Sequence, residues 1–252
     1  MKKVFHLLII AGTLVTACRQ QPSAAEKDTE AIDTYQNLPG DSALYGLACD
    51  GCTDSILILL PFSGGDPDTF DIINAFHEHK IYGRPHIGDE LAVILNPEDR
   101  QEAQMVVNIG RMRGKWCYQM MPTFRHLDQM PERIQRRMLE RIPDSIKQKL
   151  MVPREYGYHL RRGFTVQTIG HRQRTNTDEM SPVEYPKVKR YKEWHLYNGR
   201  LILSTDSVLQ SDGKKGKPET DTADILQLRR DTLVLQFKDH EQQFYRQKES
   251  NQ

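Results

Sequence analysis

No run in this chain reaches the ~18 apolar residues of a membrane-spanning helix. The longest largely apolar stretch, Val4 to Ala17, has 14 residues, so a multi-pass membrane protein is excluded. Nor is there an excess of charge of one sign: 35 Lys and Arg stand against 34 Asp and Glu, a formal +1. A chain so close to neutrality has no bulk field to attract nucleic acid. Glycine (16) and proline (13) follow no period, which excludes collagen, and no sustained heptad supports a coiled coil. With Gly counted in place of Tyr, roughly 40% of residues are apolar against a usual ~45–50%. That is little for one large core and enough for one or two small β-rich domains.

Catalytic signatures are missing as well. The chain has no His-Glu-x-x-His, no Gly-x-Ser-x-Gly elbow, no phosphate loop and no Rossmann fingerprint. Ser63-Gly64-Gly65 lacks the flanks of a nucleophile turn and reads as a plain turn. No carboxylate pair stands in a recognisably buried setting, so an acid–base dyad has no support. The chain reads as non-catalytic, with no cofactor apart from a covalent lipid.

What is there begins at the N-terminus. Lys2 and Lys3 precede the apolar stretch, and Leu14-Val15-Thr16-Ala17-Cys18 resembles a lipobox, with small residues for the signal peptidase before a cysteine to be lipidated. Residues 1–17 are expected to be a signal peptide, and Cys18 to carry the palmitate-type acyl chains that hold the protein on a membrane. Residues 18–41 are rich in Gln, Ser, Ala, Glu, Asp and Pro and read as a flexible tether. Removing 1–17 leaves 33 basic against 34 acidic residues. Arg19 after the cysteine, rather than Asp, points to the outer membrane by the rule for enteric bacteria, and the expected orientation is towards the periplasm.

The folded part divides by texture. Residues 42–112 read as about five short strands in a small OB-like or SH3-like β-barrel, with Phe70 to Tyr82 as an extended segment broken near Asn74. Residues 113–248 read as an antiparallel up-and-down β-barrel with a helical insert at 131–150. In the insert Ile134, Met138 and Ile142 recur every four residues, Ile146 and Leu150 repeat the spacing, and Pro143 should split it into two helices. Arg133, Arg136, Arg137 and Arg141 fill the remaining faces, the ordinary pattern of a solvated surface. Asn198-Gly199 supplies the positive φ angles of a type I′ hairpin turn, and Ser211 to Pro218 reads as an exposed loop.

These segments carry a likeness. Gly114-Lys115-Trp116 resembles the Gly-x-Trp signature of lipocalins. Trp194, the Asn198-to-Leu203 hairpin, Asp231 to Phe237 and Phe244-Tyr245-Arg246 look like lipocalin-like lipoproteins of diderm bacteria. Tyr45 to Cys52 is similar to the Cys-containing segment of copper-homeostasis lipoproteins of the NlpE type, which pair a lipocalin-like barrel with an OB-like one. The likeness implies a mainly β, two-barrel fold and an apolar ligand cavity. The insert at 131–150 departs from the plain lipocalin pattern. Gly114 permits close backbone approach, Trp116 sits on the opening strand, and Arg246 on the closing strand is expected to cover its indole.

Cys49-x-x-Cys52 has the spacing of a disulfide, of a soft-metal site for copper(I) or zinc, or of two ordinary thiols. Cys117 leaves the pairing open. His77-x-His79 would put two imidazoles on one face of an extended strand, with His86 nearby, and could complete a Cys/His site; exposed polar residues are the plainer reading. Three functions stay open: a lipoprotein that binds a small apolar ligand, one that binds another envelope protein, and a copper sensor built on Cys49 and Cys52. An open barrel lumen would favour the first, and a plugged one the second.

Overall fold

The computed structural model describes residues 38–127, 129–170, 181–206, 216 and 218–248. The chain divides into Met1–Thr34, outside the described residues, and the unit Tyr35–Gln252. The signal segment, Cys18, most of the tether and most of the 211–218 loop lie outside the described residues. The protein is mainly β, with 45% strand and 14% helix.

The front part contains β1 (Leu44–Ala48), β2 (Ile56–Pro61), β3 (Asp68–Asp71), α1 (Ile73–His77), β4 (Ile81–Tyr82), β5 (Glu90–Leu95) and β6 (Ala103–Asn108). Its six-stranded sheet runs β3-β2-β1-β5-β6-β4, and a parallel bridge from Asp71 to Glu102 joins the far strand β3 to the start of β6. Leu57, Leu59, Leu91, Val93 and Val106 fill the interior. Alternate residues on the same strands, Ala92 and Val107, join a second core shared with the back part. With both faces covered, β5 loses the in–out alternation of a half-solvated strand, and Leu91, Ala92 and Val93 are all buried.

The segment Phe70 to Tyr82 is extended only at its ends, in β3 and β4; the middle, where the sequence suggested no more than a break near Asn74, is helical. Strand β3 ends at Asp71, whose carboxylate accepts from the Ile73 amide at 2.8 Å, and α1 follows with Ala75 turned inward. This local side-chain-to-backbone bond outweighs the alternation there. The short helix α2 (Ile109–Met112), capped by the fully buried Asn108 side chain accepting from the Arg111 amide at 2.9 Å, then leads into the back part.

There β7 (Gly114–Met120), β8 (Thr123–Phe124), α3 (Glu132–Arg141), α4 (Asp144–Leu150), β9 (Arg154–Leu160), β10 (Val166–Ile169), β11 (Val183–Glu184), β12 (Tyr191–Tyr197), β13 (Arg200–Thr205), β14 (Thr220–Leu228), β15 (Thr232–Gln236) and β16 (Glu241–Arg246) follow. Eight of these strands form one antiparallel sheet in the order β10-β9-β7-β16-β15-β14-β13-β12. Except for the side pair β8–β11, spatial neighbours are chain neighbours, and β16 returns to β7. The sheet curls into a nearly closed barrel. Its seam is held by a bridge between Thr165 and Glu193 and by a hydrogen bond from the Trp194 amide to the Phe164 carbonyl at 2.8 Å. Asn198 and Gly199 turn β12 into β13 with φ of 47° and 77°. Pro131 and Pro143 stand at the N-caps of α3 and α4, where a missing N–H costs nothing.

The front part abuts the barrel along the β12–β13 hairpin and the end of β14. The Tyr45 hydroxyl donates to the Leu196 carbonyl at 3.1 Å, Asp41 accepts from the Asn198 amide at 3.0 Å, and the Gly83 amide donates to the Leu228 carbonyl at 3.1 Å.

Candidate functional site

Inward positions along each strand divide the barrel into a packed end and an open end. At the packed end Trp116 is 1% exposed and its indole N–H donates to the Met112 carbonyl at 2.7 Å. Arg246, directly opposite on β16, lays its guanidinium carbon 4.1 Å from the Trp116 ring centre. The same guanidinium donates to three carbonyls, Arg113 at 2.8 Å, Arg230 at 2.7 Å and Arg111 at 2.5 Å. It thus seals the bottom without any carboxylate. At Gly114, where φ is 125°, a Cβ would run into that guanidinium. Trp194, Leu201, Leu203, Leu233 and Leu235 are buried in the same core cluster as Trp116.

Towards the other end the lumen opens above an aromatic floor. Tyr118 meets Phe244 edge-on at 5.3 Å, Tyr158 lies 5.2 Å from Tyr191, and Tyr158 lies 6.0 Å from Phe244. Such pairs contribute ~0.5–1.5 kcal/mol each beyond burial. Burial raises the phenol pKa of all three tyrosines, so they stay protonated and can donate. Above the floor lies a cavity of about 1140 Å³ that continues over the rim, a little larger than the ~300–1,000 Å³ of small-ligand sites.

The rim is polar. Asp221 accepts from Lys189 at 2.8 Å and from the Tyr191 hydroxyl at 2.5 Å. Burial alone would lift the Asp221 pKa, but these two hydrogen bonds outweigh it and hold the carboxyl below its usual range. Asp224 pairs with Arg200 at 2.5 Å, and Asp239 with the His240 ring at 2.8 Å. Lys187 and Lys238 also line the cavity, both exposed, and neither has a carboxylate partner among the described residues. With its acids already partnered, the mouth offers two ammonium groups above an aromatic bed.

The front-part residues singled out from sequence lie elsewhere. Cys49 and Cys52 carry free, half-buried thiols in the turn after β1, and the Cys52 thiol points at the Cys49 carbonyl at 3.2 Å. Cys117 is a third free thiol, fully buried, with its pKa pushed up to about 11 by burial and then by Glu155. His77 and His79 do not share the face of a strand. His77 closes α1, and His79 sits in the turn beyond it with φ of 58°, so the expected pairing is corrected. His86 instead faces Asp89, 3.5 Å away. Cys52 and His79 do line one groove of about 630 Å³, between the front part and β14. No cluster of three or more His, Cys, Asp or Glu side chains that could hold a metal occurs among the described residues.

The mouth residues Tyr118, Tyr158, Lys189, Asp221 and Phe244 were missed from sequence. Their signal was present: Trp116, Tyr118 and Met120 alternate along β7, and Gln242, Phe244 and Arg246 along β16, each with period 2. No helix among the described residues is long and apolar enough to cross a membrane. No protein-family model matches the chain, and no curated protein or solved structure matches it either.

Proposed function

We propose that this is a membrane-anchored lipoprotein of the cell envelope, non-catalytic, whose back barrel binds a small, largely apolar ligand with an anionic head. The observation that carries the reading is the open cavity over Tyr118, Tyr158 and Phe244, rimmed by Lys187 and Lys238. The aromatic bed fits an apolar body, and the two unpartnered ammonium groups fit a carboxylate or similar anion. Anchoring rests on the lipobox-like segment ending at Cys18. The barrel is read as lipocalin-like, from its up-and-down order and the Gly114-x-Trp116 opening covered by Arg246. The front part is read as OB-like, from three strands, a helix and three further strands, with β3 and the start of β6 meeting in parallel at Asp71 and Glu102.

The test uses the Cys18→Ser chain without its signal segment and 1-anilinonaphthalene-8-sulfonate, an anionic aromatic probe. Saturable binding to the folded protein, displaced by decanoate and weakened about tenfold in Lys187→Glu/Lys238→Glu, is the expected result. No saturable binding rejects the ligand reading. Anchoring is checked separately: a clickable fatty acid should label the wild type in cells and leave Cys18→Ser unlabelled.

A second reading, a lipoprotein that docks another envelope protein, has the groove beside β14 in its favour. Phe76 and Leu226 line it with 45% and 47% of their surface exposed.

A further inference from the structure

The insert between β7 and β9 carries an unusual share of the exposed apolar surface. Of the twelve large apolar side chains that stand exposed among the described residues, five fall between positions 121 and 152: Met121, Ile134, Met138, Ile146 and Val152. Neither α3 nor α4 buries a single residue. In a soluble helix hairpin the apolar stripe is the side that docks. Here Ile134 and Met138 sit one turn apart on α3 and remain 53% and 37% exposed, and Ile146 repeats the feature on α4 at 46%.

The charge beside this stripe is predominantly positive. From 131 to 150 there are six cationic side chains (Arg133, Arg136, Arg137, Arg141, Lys147, Lys149) and three carboxylates (Glu132, Glu140, Asp144). Lys147 pairs with Asp144 at 3.3 Å, while the four arginines have no carboxylate partner among the described residues. Around α3 Arg133, Arg137 and Arg141 occupy the arc next to Ile134 and Met138, and Arg136 stands on the opposite side. An apolar edge flanked by free guanidinium groups is the arrangement of a helix that lies in the headgroup region of an anionic bilayer. An acidic protein would satisfy the charges and leave the apolar edge without a stated complement.

The position of the insert gives this face a use. Met120, the last residue of β7, lines the cavity, and the insert begins at Met121. The helices therefore spring from the open end of the barrel and not from the end sealed by Trp116 and Arg246. We infer that the α3–α4 insert docks on a bilayer containing anionic phospholipid and holds the barrel mouth at the lipid surface, where an amphiphile can pass between membrane and cavity. The use rests on the ligand reading above; the docking itself does not.

The two are separable because ligand binding is measured in solution without vesicles. The docking test takes the full chain with Cys18→Ser, so that no acyl chain contributes, and vesicles of phosphatidylcholine with or without phosphatidylglycerol. A tryptophan at the stripe, Ile134→Trp, reports insertion against a quiet background, since Trp116 and Trp194 are 1% and 0% exposed. The expected result is binding that needs phosphatidylglycerol and weakens with salt, with a blue shift of the new indole and its quenching by brominated lipid. Arg133→Gln/Arg136→Gln/Arg137→Gln/Arg141→Gln should weaken partitioning at least tenfold, since each cation near an anionic surface is worth roughly a fivefold factor. Ile134→Ser/Met138→Ser/Ile146→Ser should do likewise. These side chains are exposed, and an unchanged far-UV circular dichroism spectrum and urea midpoint would confirm that the variants are folded. Absence of binding at low salt overturns the proposal, as does binding that ignores phosphatidylglycerol or leaves the new indole in water. Preferential capture of polyglutamate over vesicles would make the face a protein-docking surface and overturn it equally.

Discussion

The seal at the packed end of the barrel should be strong and unequal in its parts. Replacing Trp116 by Ala removes an indole that is 1% exposed and leaves a hole in the core cluster that also holds Leu233, Phe244 and Trp194. Losses of this kind cost about 3–5 kcal/mol, a large share of the ~5–15 kcal/mol that holds a domain together. Replacing Arg246 by Ala removes a cation stacked 4.1 Å from that ring, worth ~0.5–2 kcal/mol. It also strips donors from three carbonyls. Water can replace the donor at the exposed Arg230 bond, whereas the Arg111 and Arg113 carbonyls are half-buried and lose about 1 kcal/mol together. The sum is about 1.5–3 kcal/mol, below the Trp116 loss. Arg246→Lys keeps the charge but not the fork and should recover less than half. Urea unfolding followed by far-UV circular dichroism gives the three values without relying on tryptophan, and an unchanged m-value would show that only stability moved. Arg246→Ala within 0.5 kcal/mol of the wild type (on the order of a surface substitution), or costlier than Trp116→Ala, would refute the reasoning.

Thr168 on β10 carries a buried hydroxyl with no hydrogen-bond partner, so Thr168→Val should raise stability by about 1 kcal/mol in the same urea titration. The depressed carboxyl of Asp221 contributes stability that is complete above its ordinary value of 3.8 and lost as pH falls through the lower folded value. Acid unfolding monitored from about pH 5 to about pH 2 should therefore be less steep in Asp221→Asn than in the wild type. Among the thiols, Cys49 and Cys52 should react with an aromatic disulfide reagent in the reduced native protein, and Cys117, buried and pushed up to about 11, only after unfolding. Titration with copper(I) against a competing chelator should find no submicromolar site; one that vanished in Cys49→Ser/Cys52→Ser would revive the copper-sensing alternative.

Much of the barrel was legible because its punctuation is local. Asn198-Gly199 names its own turn, and Pro131 and Pro143 mark where helices begin, since each fixes φ and lacks an N–H. Helix α1 was not legible, because Phe70 to Tyr82 alternates like a strand and the deciding contact is one Asp71 side chain on the Ile73 amide. Strand β14 showed only its last four residues, Ile225 to Leu228; Thr220 to Asp224 is polar and the register shifts between Ile225 and Gln227. The floor of the mouth escaped notice for a related reason. Tyr118, Tyr158 and Asp221 look like surface residues until closure of the sheet turns their alternate positions inward, and closure depends on the distant pairing of Tyr245 and Arg246 with Cys117 and Trp116. Pairing over so long a stretch of chain leaves no local mark.

The claim that the barrel mouth is a ligand site is tested most directly by photo-crosslinking. A medium-chain fatty acid bearing a diazirine, irradiated with the folded Cys18→Ser chain and mapped by peptide mass spectrometry, should label saturably on Tyr118, Tyr158, Phe237 or Phe244. Excess decanoate should suppress the label. Labelling confined to the groove at Phe76 and Leu226, or labelling that never saturates, would contradict the account.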